Sequence, residues 1–256
     1  MTTPIRFTWY ELMTKDAGAA GAFYRQVVGW TTAPSAPGSP YTVFSADGVA
    51  VGGMAELTDS DRASGIKPQW IGYMPVDNVD DSVAQLVKAG GALHGAIEDV
   101  PGVLRRALVN DPQGALFALF TPVPGSARPM PQAASVGSVG WHELMAVEGP
   151  TAFDFYLSLF GWTRSGVFDM GPMGDYQLFG AGGEGDFGGI MTKPAVIPSP
   201  YWTFYFNVDG AKAGAARVRD AGGIVINGPH QVPSGDWVVQ ARDPQEAIFA
   251  LVSKTA

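Results

Sequence analysis

Trp9-Tyr10-Glu11-Leu12-Met13 returns as Trp141-His142-Glu143-Leu144-Met145, and this pair of stretches decides the fold. The offset is 132 residues (141 − 9). At the same offset Phe23-Tyr24 meets Phe155-Tyr156, and Gly29-Trp30 meets Gly161-Trp162. Trp70, Tyr73, Val76 and Asp77 meet Trp202, Tyr205, Val208 and Asp209. Ala89-Gly90-Gly91 meets Ala221-Gly222-Gly223, and Val100-Pro101 meets Val232-Pro233. Asp111-Pro112-Gln113 meets Asp243-Pro244-Gln245, each followed shortly by Ala-Leu/Ile-Phe-Ala-Leu. The register slips only around residues 31–66. Such agreement at one offset means a duplicated domain. The expected organisation is a first domain over residues 1–120, a linker over 121–135 rich in Pro, Ala and Ser, and a second domain over 136–256.

Composition limits what such a chain does. Of 256 residues, 46% are hydrophobic and only 16% charged, enough apolar material for a large core and too much for general disorder. Cysteine is absent, which excludes disulfides, thiolate nucleophiles and Cys-ligated zinc or iron–sulfur centres. The net charge of −8, with 16 scattered Lys and Arg, argues against nucleic acid or an anionic membrane as partner. No apolar run approaches the roughly 20 residues of a membrane span. Met1 to Arg6 carries no basic stretch leading into an apolar segment, so a cytoplasmic location is expected.

Each half reads as strand–helix–strands, twice over. Residues 6–13 form a strand. Asp16 is a candidate N-cap for a helix over 17–28, which Gly29 closes, and Pro150 and Gly161 bracket its counterpart. Residues 41–46 and 49–56 make a hairpin around Asp47-Gly48. A strand over 70–76 restarts the pattern, and Val79, Val83, Leu86 and Val87 mark a second helix. Residues 103–109 and 115–120 form the closing hairpin, with a type I turn at Asp111-Pro112-Gln113-Gly114. Glu246 replaces that last glycine in the second half, so a positive φ is not expected there. Gly180-Ala-Gly182-Gly-Glu-Gly185 spells a dinucleotide fingerprint, but the next residues read as strand rather than helix, which removes the cofactor reading.

The βαβββ order, the Phe-Tyr-x4-Gly-Trp helix end and the closing Asp-Pro-Gln-Gly hairpin resemble the glyoxalase/bleomycin-resistance/extradiol-dioxygenase superfamily, also called the vicinal oxygen chelate superfamily. The resemblance covers nearly the whole chain. It implies an α+β fold of two tandem glyoxalase-like domains, each of paired βαβββ modules forming curved mixed sheets around a cup. The Trp-x-Glu-Leu-Met opening is most similar to an actinobacterial subgroup of tandem glyoxalase-like proteins, some of them labelled hydroxylases. The superfamily holds metal-dependent isomerases, lyases and dioxygenases beside metal-free binders.

The resemblance also places the family's metal ligands on the outer strands of each module. The aligned positions here are Trp9, Trp141, Ile71, Thr203, Ala118 and Ala250, none of them a suitable ligand. The remaining module edges lie near residues 53–56 and 189–192, where Glu56 is the only carboxylate. Only three histidines exist, fewer than two symmetric two-His sites need. His142 adjoins a ligand position, but alternation turns it to the opposite face, and His94 and His230 fall in loop-like segments. No metal and no cofactor are expected.

Alternation puts Trp9, Glu11 and Met13 on the cup face, with Tyr73 further on; the second half repeats this with Trp141, Glu143, Met145 and Tyr205. Leu116, Ala118 and Phe120 line the last strand. The expected site is an aromatic cup for a small apolar or aromatic molecule. Glu11 and Glu143 are the candidate acid–base residues, because burial raises a carboxyl pKa toward the useful range. The competing reading makes them rim carboxylates salt-bridged to Arg105, Arg106 or Arg242. Three functions compete: a metal-free binder; a lyase, isomerase or oxygenase using Glu11 or Glu143, perhaps with metal at Glu56; and an accessory protein docking on a partner enzyme.

Overall fold

The computed structural model describes residues 4–63, 65–126, 134–182 and 185–256. The first half runs β1 (Trp9–Thr14), α1 (Ala17–Val28), β2 (Thr31–Pro34), β3 (Thr42–Ala46), β4 (Val49–Glu56), α2 (Asp59–Ala63), β5 (Gln69–Pro75), α3 (Val79–Lys88), β6 (Ala92–Val100), β7 (Leu104–Asn110) and β8 (Leu116–Pro122). The second runs β9 (Val139–Ala146), α4 (Gly149–Phe160), β10 (Thr163–Asp169), β11 (Asp175–Gly180), β12 (Asp186–Thr192), β13 (Tyr201–Asn207), α5 (Ala211–Asp220), β14 (Ile224–Gln231), β15 (Trp237–Arg242) and β16 (Ile248–Ser253). The strands form two eight-stranded mixed sheets of matching order, β2-β3-β4-β1-β5-β8-β7-β6 and β10-β11-β12-β9-β13-β16-β15-β14. The fold is therefore α+β, with tandem glyoxalase-like repeats. Of the expected linker, residues 127–133 lie outside the described residues, and Thr121 and Pro122 belong to β8. Gly183 and Glu184 of the fingerprint-like run also lie outside, and β12, a strand, follows it. Among the described residues no helix is long and apolar enough to cross a membrane.

Local chemistry sets the helix limits. Asp16 caps α1 by accepting from the Ala19 amide, and Gly29 ends it in the left-handed region at φ 91°. Glu148 caps α4 in the same position, and Gly161 ends it at φ 69°. Left-handed backbone disfavours any side chain with a Cβ, which explains glycine at both ends. The strand behind each helix supplies a second acceptor. Glu56 Oε1 accepts from Ala17 N at 2.9 Å, and Thr192 Oγ1 accepts from Gly149 N at 3.0 Å. Glu56 therefore supports the α1 N-terminus, where negative charge is favoured.

The chain divides into two compact units that cut across the repeat. One comprises Met1–Thr8, Gly72–Ala127 and His142–Trp202; the other comprises Trp9–Ile71, Arg128–Trp141 and Thr203–Ala256. Each unit thus takes one module from each half, and each has its own aromatic core. In the first, Tyr156 stacks on Trp162 at 5.1 Å and meets Trp202 edge-on at 5.3 Å. In the second, Tyr24 meets Trp70 edge-on at 5.2 Å and Phe249 at 5.4 Å. Both tyrosines are fully buried, so both hydroxyls need partners. Tyr24 donates to Asp243 Oδ2 at 3.1 Å and accepts from the Trp70 indole at 2.8 Å. Tyr156 donates to Asp111 Oδ2 at 3.1 Å and accepts from Trp202 at 3.2 Å.

The same aspartates build the Asp-Pro-Gln turns. Asp111 Oδ1 accepts from the amides of Gln113 and Ala115, and Asp243 Oδ1 from those of Gln245 and Ala247. Burial raises both carboxyl pKa values, while these donors oppose the shift. The glutamines reach further. Gln245 Oε1 accepts from Thr14 Oγ1, Lys15 N and Asp16 N, and its Nε2 donates to Asp16 O. Gln113 holds Glu148 and Thr151 at the start of α4 in the same manner.

Two expectations change. The turn needs a positive φ in both copies, with Gly114 at 98° and Glu246 at 83°. The chain must swing left-handed there so that Ala247 N returns to the Asp243 carboxylate, and an exposed Glu bears the strain. His94 and His230 lie on strands β6 and β14, not in loops. Register shifts interrupt both strands, which explains why Gly95 and Gly228-Pro229 look like turns in sequence. The polar strands β2 and β10 carry no hydrophobic alternation to announce them.

An L-residue in the left-handed region costs about 1–2 kcal/mol, part of which glycine returns as unfolded-chain entropy. Glu246→Gly is expected to raise unfolding stability by up to about 1 kcal/mol in urea titration. The exposed Lys15–Glu246 contact at 3.9 Å adds little to oppose this. Unchanged or lowered stability would show that the turn is not strained.

Candidate functional site

In both units one sheet face packs on helices through the aromatic core, and the candidate residues lie on the other. In the second unit, the Tyr10 ring meets Phe204 edge-on at 5.1 Å, so Tyr10 belongs to the packed face and Trp9, Glu11 and Met13 to the opposite one. Glu11 is 4% exposed and Met13 9%, while Trp9 is half-buried. Strand β1 runs parallel to β4 with Glu11 beside Gly53. A Cβ on Gly53 would collide with the Tyr41 ring, so the tyrosine lies directly on the backbone. Its hydroxyl accepts from the Trp9 indole at 2.9 Å. Trp141 packs against Tyr205, Val238 and Ala250 in the same unit. The Tyr205 hydroxyl accepts from Gln240 Nε2 at 3.1 Å, and Gln240 Oε1 accepts from Asn227 at 3.4 Å.

The first unit holds the complementary strands. Tyr73 is buried opposite Ala118, with its ring 6.3 Å from that of Phe120. Its hydroxyl accepts from Arg106 at 2.9 Å, and Arg106 also pairs with Glu98 at 3.2 Å. Arg105 is committed to Asp80 and Asp99 at 2.8 and 3.0 Å. Glu143 is 6% exposed, Met145 9%, and Glu143 stands beside Gly189 in the β9–β12 ladder. A Cβ on Gly189 would collide with Tyr176, as one on Gly53 would with Tyr41. Tyr201 completes this group. Burial and the nearby Glu143 charge together raise its phenol pKa. Neither Glu11 nor Glu143 is without an interaction partner.

Self-comparison did not single out Tyr41, Tyr176 or Tyr201. Tyr41 and Tyr176 are 135 residues apart (176 − 41), outside the offset of 132 because the loops before them differ in length. The available signal was a Gly-Gly pair inside a strand of each half, at 52–53 and 188–189, which marks close approach by another group. Tyr201 falls opposite Gln69 at the common offset, so the repeat hid it.

The side chains present do not fit a family-type metal. The aligned ligand positions hold Trp, Ile, Thr and Ala, tyrosines cover the glycines of β4 and β12, and Glu56 caps a helix. Among the described residues no three His, Asp or Glu side chains come together to hold an ion. His94 and His230 are exposed. His142 is buried on the helix-packed face, stacked on Phe7 at 5.2 Å, with Nδ1 donating to the Phe187 carbonyl at 2.7 Å. Desolvation lowers its pKa to about 4, so it is neutral near pH 7.

The profile of the Glyoxalase/Bleomycin resistance protein/Dioxygenase superfamily matches residues 6–119 and 139–251. CFP32 of Mycobacterium tuberculosis, which carries a provisional glyoxylase name, is 31% identical over 95% of this chain and 93% of its own. The anthracycline biosynthesis protein DnrV of Streptomyces peucetius is 30% identical over 95% of this chain and 91% of its own. Among solved structures, the Mn(II)-bound glyoxalase of Novosphingobium aromaticivorans superposes with a TM-score of 0.66 at 19% identity, covering 99% of this chain and 83% of that one. The 2,3-dioxygenase LapB of Pseudomonas sp. KL28 also gives 0.66, at 12% identity, over 100% of this chain and 94% of that one. These structural likenesses establish the fold.

His142 supplies a pH test of the packed face. Its folded pKa of about 4 lies below the ordinary value of 6.5, so the unfolded chain binds the proton more readily. Its contribution is therefore fully present above pH 6.5 and is lost as pH falls toward 4. Wild type should lose about 2–3 kcal/mol more than His142→Phe between pH 7 and 4, measured by urea unfolding. The raised carboxyls of Asp111 and Asp243 act in the opposite direction but cancel in this difference. Parallel pH profiles would show that the imidazole is not buried neutral.

Proposed function

This chain belongs to the glyoxalase/bleomycin resistance/dioxygenase superfamily, and from that premise we propose that it binds a small apolar or aromatic molecule on the aromatic sheet faces, without a family-type metal. The observation that carries this reading is the exchange of ligand-bearing positions for Trp9, Trp141 and two alanines, with tyrosine rings laid over Gly53 and Gly189. Flat rings with one polar tip suit a planar ligand carrying a few hydrogen-bonding groups. Relatives named for anthracycline biosynthesis support an aromatic ligand. Trp9, Met13, Tyr73, Trp141, Met145 and Tyr205 are the proposed contact residues.

A second reading is retained because Glu11 and Glu143 are buried carboxylates on these faces. In it the chain is a lyase, isomerase or oxygenase, and a Glu moves a proton to or from the bound molecule. Metal analysis of untagged protein bears on this reading. Stoichiometric Fe, Mn, Ni or Zn that resists dialysis would overturn the metal-free assignment.

Trp9→Ala or Trp141→Ala should each weaken binding of a planar aromatic probe such as 1-naphthol by about 1–3 kcal/mol in calorimetric titration. Unaltered affinity in both variants would remove the aromatic faces as the site. Glu11→Gln and Glu143→Gln separate the readings: binding kept with turnover lost assigns acid–base catalysis.

A further inference from the structure

We infer that the groove between α1 and strands β2–β4 is a second binding site, for a small aromatic carboxylic acid such as phenylacetate. It is separate from the aromatic sheet faces proposed above. Gly18, Gly21, Arg25, Thr32, Pro34 and Met54 line the groove, with about 300 Å³ of space between them. All six lie in one compact unit. A cavity of about 150 Å³ is enough for benzene. Met54 stands beside Leu12 in the β1–β4 ladder, whereas Gly53 stands beside Glu11, so Met54 and the groove lie on the helix-packed face. A Cβ on Gly21 would point at the Met54 methyl and at Thr32 Cγ2, 3.2 and 3.4 Å away, so a side chain at this position would enter the groove. Arg25 is exposed and donates to Thr32 Oγ1 at 3.2 Å. Among the described residues it forms no ion pair.

The repeat shows what such a groove accepts. At the common offset Gly21 meets Phe153, Ala22 meets Asp154, Arg25 meets Leu157 and Thr32 meets Arg164. Ile190 stands beside Leu144 where Met54 stands beside Leu12. The Phe153 ring is buried, the Arg164 guanidinium lies 4.5 Å from its centre, and Asp154 pairs with that guanidinium. The second half thus fills its slot with its own ring, carboxylate and guanidinium. The first half keeps a guanidinium, moved to Arg25, and has glycine and alanine in place of the ring and the carboxylate. An aromatic acid supplies both parts at once: a ring for the space beside Gly21 and a carboxylate for the Arg25 fork. Gly21 and Arg25 are four residues apart, neighbours on one helix face. Asp16 and Glu56 hold the start of α1, about two turns before Arg25, so a ligand carboxylate belongs at the Arg25 end of the groove.

The test is an amide NMR titration of the full chain with phenylacetate and its neutral analogue 2-phenylethanol at pH 7. Wild type should bind phenylacetate saturably, with shifts centred on the Gly18, Gly21 and Thr32 amides, and more tightly than the alcohol. Arg25→Leu, which installs the second-half residue, should weaken phenylacetate about fivefold or more and leave the alcohol within about twofold. Arg25 is exposed, so this variant does not depend on the core accepting a new ring. Gly21→Phe combined with Met54→Ile installs the second half's ring and its neighbour, and should abolish the shifts from both probes at these amides. Trp9→Ala and Trp141→Ala should leave them unchanged. Phenylacetate shifts that map to β1 and vanish in Trp9→Ala would overturn the groove while keeping the aromatic faces as a site. Equal affinity for the two probes, undiminished phenylacetate binding in Arg25→Leu, binding that survives the filled groove, or no saturable shift at these amides would also overturn it.

Discussion

In each compact unit one buried hydrogen bond, from a helix tyrosine to a turn aspartate, ties the aromatic core to the closing hairpin. Tyr24 reaches Asp243 and Tyr156 reaches Asp111, each at 3.1 Å. The aspartate cannot be replaced by an apolar residue without releasing two turn amides and a phenol at once. The tyrosine cannot be shortened without emptying the centre of an aromatic cluster. Because the bond joins residues 219 and 45 positions apart, it also fixes which helix lies against which hairpin. The following glutamine then fastens the start of that helix, so the strand ahead of it, which bears the Trp and Glu of the candidate site, is held from behind.

That arrangement explains why the site faces tolerate unusual residues. Strands β1 and β9 each have one face filled by a packed aromatic core, which leaves the other free to carry a buried carboxylate beside a glycine. Glycine in a strand interior weakens it. Here the loss has a compensation, since the Tyr41 and Tyr176 rings occupy the space that a side chain would fill. In the function proposed above, rings stand where the family carries metal ligands, and Glu11 and Glu143 supply the charge.

Much of this was legible in sequence because local rules and the repeat agreed. Gly29, Gly161, Asp16 and the Asp-Pro-Gln turns carry their conformations in their residue types. Strand alternation likewise separated Trp9 and Glu11 from Tyr10. What was hidden depended on distance or on strain. Gln245 reads as an ordinary turn residue, and nothing nearby announces that it holds Thr14 and Asp16. Glu246 shows the opposite failure: its residue type argues against a positive φ, but the aspartate cage imposes one. Tyr41 and Tyr176 were missed because loops of unequal length broke the offset, and Tyr201 because its counterpart is Gln69.

The crossing of units and halves has an evolutionary consequence. A single half contains the phenol of one core and the carboxylate of the other, so on its own it completes neither. An unfused ancestor of this kind would assemble its cores only by pairing two copies, each lending its hairpin to the other's helix. Fusion makes that partner permanently present at high effective concentration, independent of expression level. It also ends the requirement that the two copies be identical. Arg106 and Val238, or Gln69 and Tyr201, diverged at positions where a symmetric dimer would have had to change both copies together.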